Sequence, residues 1–400
     1  MRPPSYRVLL RQRDVGRLLL SAGLGRLADR ILTLVLVLYA LVRFHSPLLA
    51  GWMGFAAIVP GLLVSPLAGV LLDRAGSAAI AVDMAFSAVC ILTVTMLALV
   101  GTDTAWSLCL LVTLHSLTKP LSSAGVRSLL PTLVTPECYD RANALDTTVQ
   151  ATVELFGPAL GGALFGLAGP VAAFAVIVIL YAAACTTLLR AALRPSDPTS
   201  RNPGVWLDVT AGIAYVLQHR SLRALALTYA CYQVSWGILL VAVPVAVTRG
   251  LGSAHGSMAV GILWAISGLA GAVGALATGH LGAIGRERSI VAFGILGTGL
   301  AIYPVSMNFG FAGLASGLAL VGFLSGPIDV GLLTLRQRRT DPTWLGRAMA
   351  VSMSLNMSGL PIGSALGGML SGWSPEAAFA AAALACLIAS AVAWAWLPLR

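Results

Sequence analysis

The stretch "GPALGGALFG" fills Gly157 to Gly166, and "GSALGGMLSG" fills Gly363 to Gly372. Seven of the ten positions are identical at a constant offset of 206, and Arg141-Ala142 and Arg347-Ala348 keep the same offset. In a chain of 400 residues the two copies stand half a length apart, as expected of one ancestral half written twice.

The surroundings of both copies are apolar. Hydrophobic residues make up 58% of the chain, charged residues only 10%, and the mean hydropathy is +0.89. Soluble globular domains carry about 25% charged residues, so this composition cannot clothe a water-soluble surface. Apolar runs such as Leu48 to Leu72, Ala78 to Val100, Val171 to Leu193 and Ala377 to Leu397 have the length that crosses a bilayer as a helix. The reading is an all-α polytopic membrane protein with the lipid bilayer as its solvent. Approximate spans are 16–43, 48–72, 78–100, 105–130, 142–167, 170–193, 223–248, 257–281, 289–308, 311–335, 346–373 and 376–397, twelve in all.

The formal charge of +10 follows the membrane rather than a nucleic acid, which is not expected as a partner. With both termini in the cytoplasm, twenty basic residues fall on the cytoplasmic side and only Arg43 and Arg249 on the other, an asymmetry that orients the chain. No signal peptide is evident, because the first 17 residues carry five arginines and no small-residue cleavage site follows. The six cysteines lack metal-ligand spacing and nearly all fall in apolar runs, so neither a disulfide nor a metal site is expected.

The longest polar interruption, "RPSDPTSRNP" from Arg194 to Pro203, falls at the midpoint, and an amphipathic stretch from Val205 to Leu217 after it suits a helix lying on the cytoplasmic surface. The expected organisation is an N-terminal six-helix bundle over 1–193, a cytoplasmic linker with a surface helix over 194–222, and a C-terminal six-helix bundle over 223–400. Six spans in each half imply parallel repeats with a cleft between them. The pairs Gly157/Gly161, Gly162/Gly166, Gly363/Gly367 and Gly368/Gly372 each form a G-x-x-x-G pattern that lets a helix approach its neighbour closely.

Between the second and third spans stands "GVLLDRAGS", Gly69 to Ser77, which resembles the G-x-L-x-D-R-x-G-R loop of the major facilitator superfamily; Gly69, Leu71, Asp73, Arg74 and Gly76 match, and Ser77 replaces the usual base. "GHLGAIGRER", Gly279 to Arg288, looks like a degenerate second copy without the Asp-Arg pair. The resemblance implies a cytoplasmic gate at Gly69, Asp73, Arg74 and Gly76, with Arg127 and Arg141 beside it. "ELFGPALGG" resembles the superfamily's antiporter motif at Gly157, Pro158, Gly161 and Gly162. The segment Val126 to Gly162 is similar to the branch containing enterobactin exporters and macrolide efflux proteins, which implies export. The superfamily's default is a monomer.

Charges inside spans cost at least about 2.5–3.5 kcal/mol, so each one is a functional candidate. The first span holds Arg26, Asp29 and Arg30, where Arg26 and Asp29 share a face and can pair; the fifth holds Glu154, with no basic residue near it in sequence; the second half offers Asp329. Glu154 is the preferred proton carrier, and Asp29 is a second carrier or the partner of Arg26 or Arg30. His115, Lys119 and Arg127 form a cationic stripe on the fourth span, and Lys119 is the chain's one lysine. Together Arg26, Arg30, His115 and Lys119 make a cavity wall suited to an anionic or zwitterionic substrate; alternatively Lys119 pairs with Asp29 or Glu154. Asp83 and Asp146, near cytoplasmic helix ends, read as gate or loop contacts. Tyr232 and Trp236, four apart on the seventh span, read as substrate-cavity aromatics.

The expected function is proton-coupled efflux of a small molecule, drug-, antibiotic- or siderophore-like, across a bacterial cytoplasmic membrane by alternating access. The alternative is an importer or facilitator on the same fold. The loops are too short for a catalytic domain and no phosphate-binding Gly-Lys loop exists, so neither an enzyme nor a cofactor is expected beyond the proton gradient.

Overall fold

The computed structural model describes residues 13–134, 138–191, 213–251, 253–281, 287–302, 310–340 and 355–397. Among them the regular elements are helices, as a lipid environment dictates: with no water to satisfy N–H and C=O groups, each segment must bond its own backbone. They are α1 (Arg13–Phe44), α2 (Pro47–Ala56), α3 (Val59–Ala75), α4 (Ser77–Val100), α5 (Ala105–Leu133), α6 (Tyr139–Leu189), α7 (Arg220–Leu251), α8 (Ser253–Leu281), α9 (Glu287–Leu300), α10 (Gly310–Arg339), α11 (Gly359–Trp373) and α12 (Pro375–Trp396). Most of the expected linker, residues 192–212, lies outside the described residues, and the start of the expected surface helix with it.

Three expected spans have a different internal build. The second is split into α2 and α3, and α3 restarts with a proline in its first turn, where the missing N–H has no intrahelical partner to lose. The fifth and sixth form one run, α6, interrupted at Gly169 (φ 81°, ψ 174°), which precedes Pro170. Glycine is the residue that takes this left-handed backbone without a Cβ penalty. The chain reverses there: Glu154 meets Arg30 while Tyr181 meets Asp29, although 27 residues of straight helix would separate them by about 40 Å. Among the described residues, seven segments are long and apolar enough to cross a membrane, for example Ser77–Val100, His255–Thr278 and Pro375–Trp396.

Helix ends follow local chemistry. Thr104 and Ser107 form a capping box at the start of α5, Ser374 accepts the Ala377 N–H at the start of α12, and Gly101 closes α4 in the left-handed region.

The chain forms two compact units, one of residues 1–35 and 56–205 and the other of residues 36–55 and 206–400. In the first unit α1 runs beside the first arm of α6: a Cβ on Gly157 would meet the Arg30 Cβ at 2.5 Å, and one on Gly161 would meet the Ile31 carbonyl at 3.3 Å. In the second, α11 lies along α7 with Gly359, Gly363 and Gly367 against the backbone of Ala230, Val234 and Ile238. Both partners advance by four residues per contact, so the two helices run parallel. The offset of 206 thus carries Gly157 and Gly161 onto Gly363 and Gly367, and in both units these glycines face that unit's own first long helix. A second pairing is built the same way, with Gly322 of α10 on the Ser267 backbone of α8.

The second unit also includes α2, whose Gly51 would meet the Ser364 carbonyl at 2.6 Å, and Ser364 donates a hydrogen bond to the Gly51 carbonyl at 3.0 Å. Gly372 departs from the expected pattern. Nothing lies within 4 Å of where its Cβ would be, because it sits in the last turn of α11, beyond the crossing.

Two glycines on one helix therefore make a controlled pair. Gly363→Ala forces α11 off α7 and should cost about 1–3 kcal/mol, read as a lowered thermal unfolding temperature of the purified protein. Gly372→Ala should leave that temperature unchanged; equal losses from both would show that close packing of α11 is not what the glycines provide.

Candidate functional site

Close contact of α1 with α6 decides which charges meet. Arg30 of α1 and Glu154 of α6, 124 residues apart, form an ion pair with both side chains partly exposed. One turn earlier Arg26 Nη1 reaches Asp146 Oδ1 at 2.7 Å. The expected Arg26–Asp29 pairing is absent. Arg26 takes Asp146, which is buried in this pair within α6 rather than placed in a loop. Glu154, without a base near it in sequence, has one in space.

Asp29 points to the other side of α1. Its Oδ1 accepts from the Tyr181 hydroxyl at 2.7 Å and lies 3.4 Å from Lys119 Nζ and 3.6 Å from His115 Nε2. Side-chain exposure is 23% for Asp29 and 32% for Lys119, against 2% for His115. Of the two pairings open to Lys119, the structure has the one with Asp29. His115 packs edge-on against the Tyr181 ring at 5.7 Å and faces Ser87 with its other nitrogen, Nδ1 to Oγ 2.9 Å.

Beyond Ser87 stands Asp83. It is 4% exposed, held by the Ser122 hydroxyl on one oxygen and lying 3.5 Å from Ser87 Oγ on the other. The expectation of a hydrated loop contact does not hold for Asp83. It sits inside the bundle because α4, α5 and α6 close around it, whatever its distance from a helix end.

Arg26, Arg30 and Lys119, the cations read as a wall for an anionic substrate, are thus each faced by a carboxylate. A ligand anion must displace one. Ionised or neutral, these carboxylates change the charge their partners present, which is the chemistry an ion-coupled site needs.

Sequence alone does not single out Tyr181 and Ser87 as site residues. Tyr181 has a visible signal, a lone hydroxyl in the apolar run "VIVILYAAAC" from Val176 to Cys185. Ser87 has little, since small hydroxyls are common in transmembrane helices.

In the second unit Tyr229 donates to Asp329 Oδ1 at 3.0 Å. Tyr232 is fully buried, edge-on to Trp236 at 6.4 Å, and Trp236 is half-buried and stacked on Trp264 at 6.0 Å. Gly69, Asp73 and Arg74 stand in the last turns of α3, Gly76 (φ 52°) joins α3 to α4, and Arg127 and Arg141 lie in α5 and α6. Pro158 lies within α6 beside Gly157, and Gly162 is buried there.

Comparison with known proteins gives this architecture a family. The Major Facilitator Superfamily model matches residues 18–359 and 225–400. An uncharacterized MFS-type transporter of Sinorhizobium fredii, y4rN, is 46% identical over 387 residues, 96% of this chain and 95% of that protein. The enterobactin exporter EntS of Salmonella typhi is 27% identical over 255 residues, covering 62% of this chain and 60% of that exporter's length. Among solved structures, a bacterial homologue of the iron transporter ferroportin in its inward-facing state aligns with a TM-score of 0.72 at 19% identity, covering 97% of this chain and 99% of that one. A POT family transporter in complex with 5-aminolevulinic acid aligns at 0.73 with 12% identity and 95% coverage of both chains. At such identities the structures show the fold alone. The sequence matches go further: the chain belongs to the Major Facilitator Superfamily and is an integral membrane transporter.

Proposed function

We propose that the protein exports a small molecule, drug-, antibiotic- or siderophore-like, across the cytoplasmic membrane of a bacterium in exchange for protons, by alternating access and as a monomer with both termini inside. The observation that carries this reading is the pair of carboxylates Asp29 and Glu154, each within a membrane helix, Glu154 engaged by Arg30 and Asp29 by Lys119 with His115 beside it. Antiport requires that substrate and proton exclude each other. A substrate that offers a cation or hydrogen-bond donor to ionised Glu154 or Asp29 meets that requirement, because protonation removes its acceptor and expels it. Similarity to an enterobactin exporter supports the outward direction, and the cytoplasmic excess of arginines supports the orientation.

Proteoliposomes holding the full chain, with an acid lumen and a panel of enterobactin, erythromycin and ethidium as probes, test it. Coupling free energies run about 1–3 kcal/mol, so the gradient should accelerate uptake of at least one probe by about fivefold or more. Glu154→Gln should lose that acceleration while keeping probe exchange. Wild-type transport that ignores the gradient would leave a facilitator in place of an antiporter.

A further inference from the structure

Asp83 lies outside the proposed coupling pair, yet it is the most deeply buried carboxylate beside it. A charge enclosed to this degree is offset by a counter-charge or replaced by a neutral, protonated group. Arg26, Arg30 and Lys119 are engaged by Asp146, Glu154 and Asp29, and among the described side chains no Lys or Arg lies within salt-bridge distance of Asp83. Its neighbours are the hydroxyls of Ser122, Ser87 and Thr118. The ionisable groups around it are Asp29 from α1, His115 and Lys119 from α5, and Tyr181 and Cys185 from α6. Hydroxyls can donate to a carboxylate or accept from a carboxylic acid, so this pocket accommodates Asp83 in either state.

The second observation is the path. From Asp29 Oδ1 it runs 3.6 Å to His115 Nε2, then from Nδ1 2.9 Å to Ser87 Oγ, then 3.5 Å to Asp83 Oδ1. Every member can both give and take a proton, and His115 and Ser87 are almost wholly shielded from solvent. Asp29, at the start, is the more exposed end.

We propose that Asp83 is an interior proton-binding site, filled from Asp29 through His115 and Ser87. This rests on the proton-coupled reading of the transporter. Transfer begins with protonated Asp29, His115 carrying its proton on Nδ1, and ionised Asp83. Asp29 gives its proton to Nε2; Nδ1 gives its proton to Ser87 Oγ as the Ser87 hydroxyl proton passes to Asp83. The products are ionised Asp29, neutral His115 protonated on Nε2, an intact Ser87 hydroxyl and protonated Asp83. One proton has moved, and the charge left on Asp29 again faces Lys119.

The test uses the full-length protein in lipid nanodiscs without substrate, followed by infrared spectroscopy through an acid pH jump. The wild type should gain a carboxylic-acid C=O band that Asp83→Asn removes. Ser87→Ala, which keeps both carboxylates, should retain that band but slow its appearance by about tenfold or more, the scale expected when a positioned proton-transfer group is lost. If Asp83→Asn removes no band, Asp83 binds no proton and the site is wrong; if Ser87→Ala fills at the wild-type rate, the relay is wrong. Because no substrate is present, the site can fail while Glu154→Gln still uncouples transport. Likewise, antiport can fail in proteoliposomes while the Asp83 band remains.

Discussion

A charged side chain in the hydrocarbon region must find a partner within the protein, and the first unit is arranged around that requirement. Three basic residues and their carboxylates join α1 to α5 and α6, and each pair connects elements far apart in sequence. The pairs exist because the helices come close enough. Gly157 puts the α6 backbone against the stem of Arg30, and the Arg30 guanidinium meets Glu154 one turn away. Small residues on one helix thus set the electrostatics of another.

The second unit repeats the backbone device without the charges. Gly363 and Gly367 bring α11 onto α7 as Gly157 and Gly161 bring α6 onto α1, but at the positions corresponding to Arg26, Asp29 and Arg30, offset by 206, stand Tyr232, Ser235 and Trp236. Duplication therefore conserved the helix crossing and let the side chains diverge, one copy toward ion pairs and the other toward stacked aromatics. That asymmetry is the reason the proposed proton chemistry is assigned to the N-terminal half.

Much of the fold was legible in the sequence. Apolar runs of span length mark the helices, and the repeat at 206 marks both glycine crossings. The breaks within spans were less legible, because a Pro60 or a Gly169-Pro170 reads as a boundary or a kink depending on neighbours that composition does not reveal. The site was half legible. Burial cost alone singles out Asp29, Glu154, Arg30 and Lys119, whereas the partners depend on contacts 90 to 124 residues away in sequence. The burial of Asp83 is not legible, because distance from a helix end measures depth in lipid, while its burial comes from the helices packed around it.

The most direct check of this account is a double-mutant cycle on Asp29 and Lys119, read by thermal unfolding of the purified protein. Asp29→Asn and Lys119→Met should each lower stability by stranding the other charge, and the double variant should recover most of the loss, with a coupling of about 0.5–3 kcal/mol. If the two losses simply add, the charges in the membrane are not held as pairs, and the account built on them is contradicted.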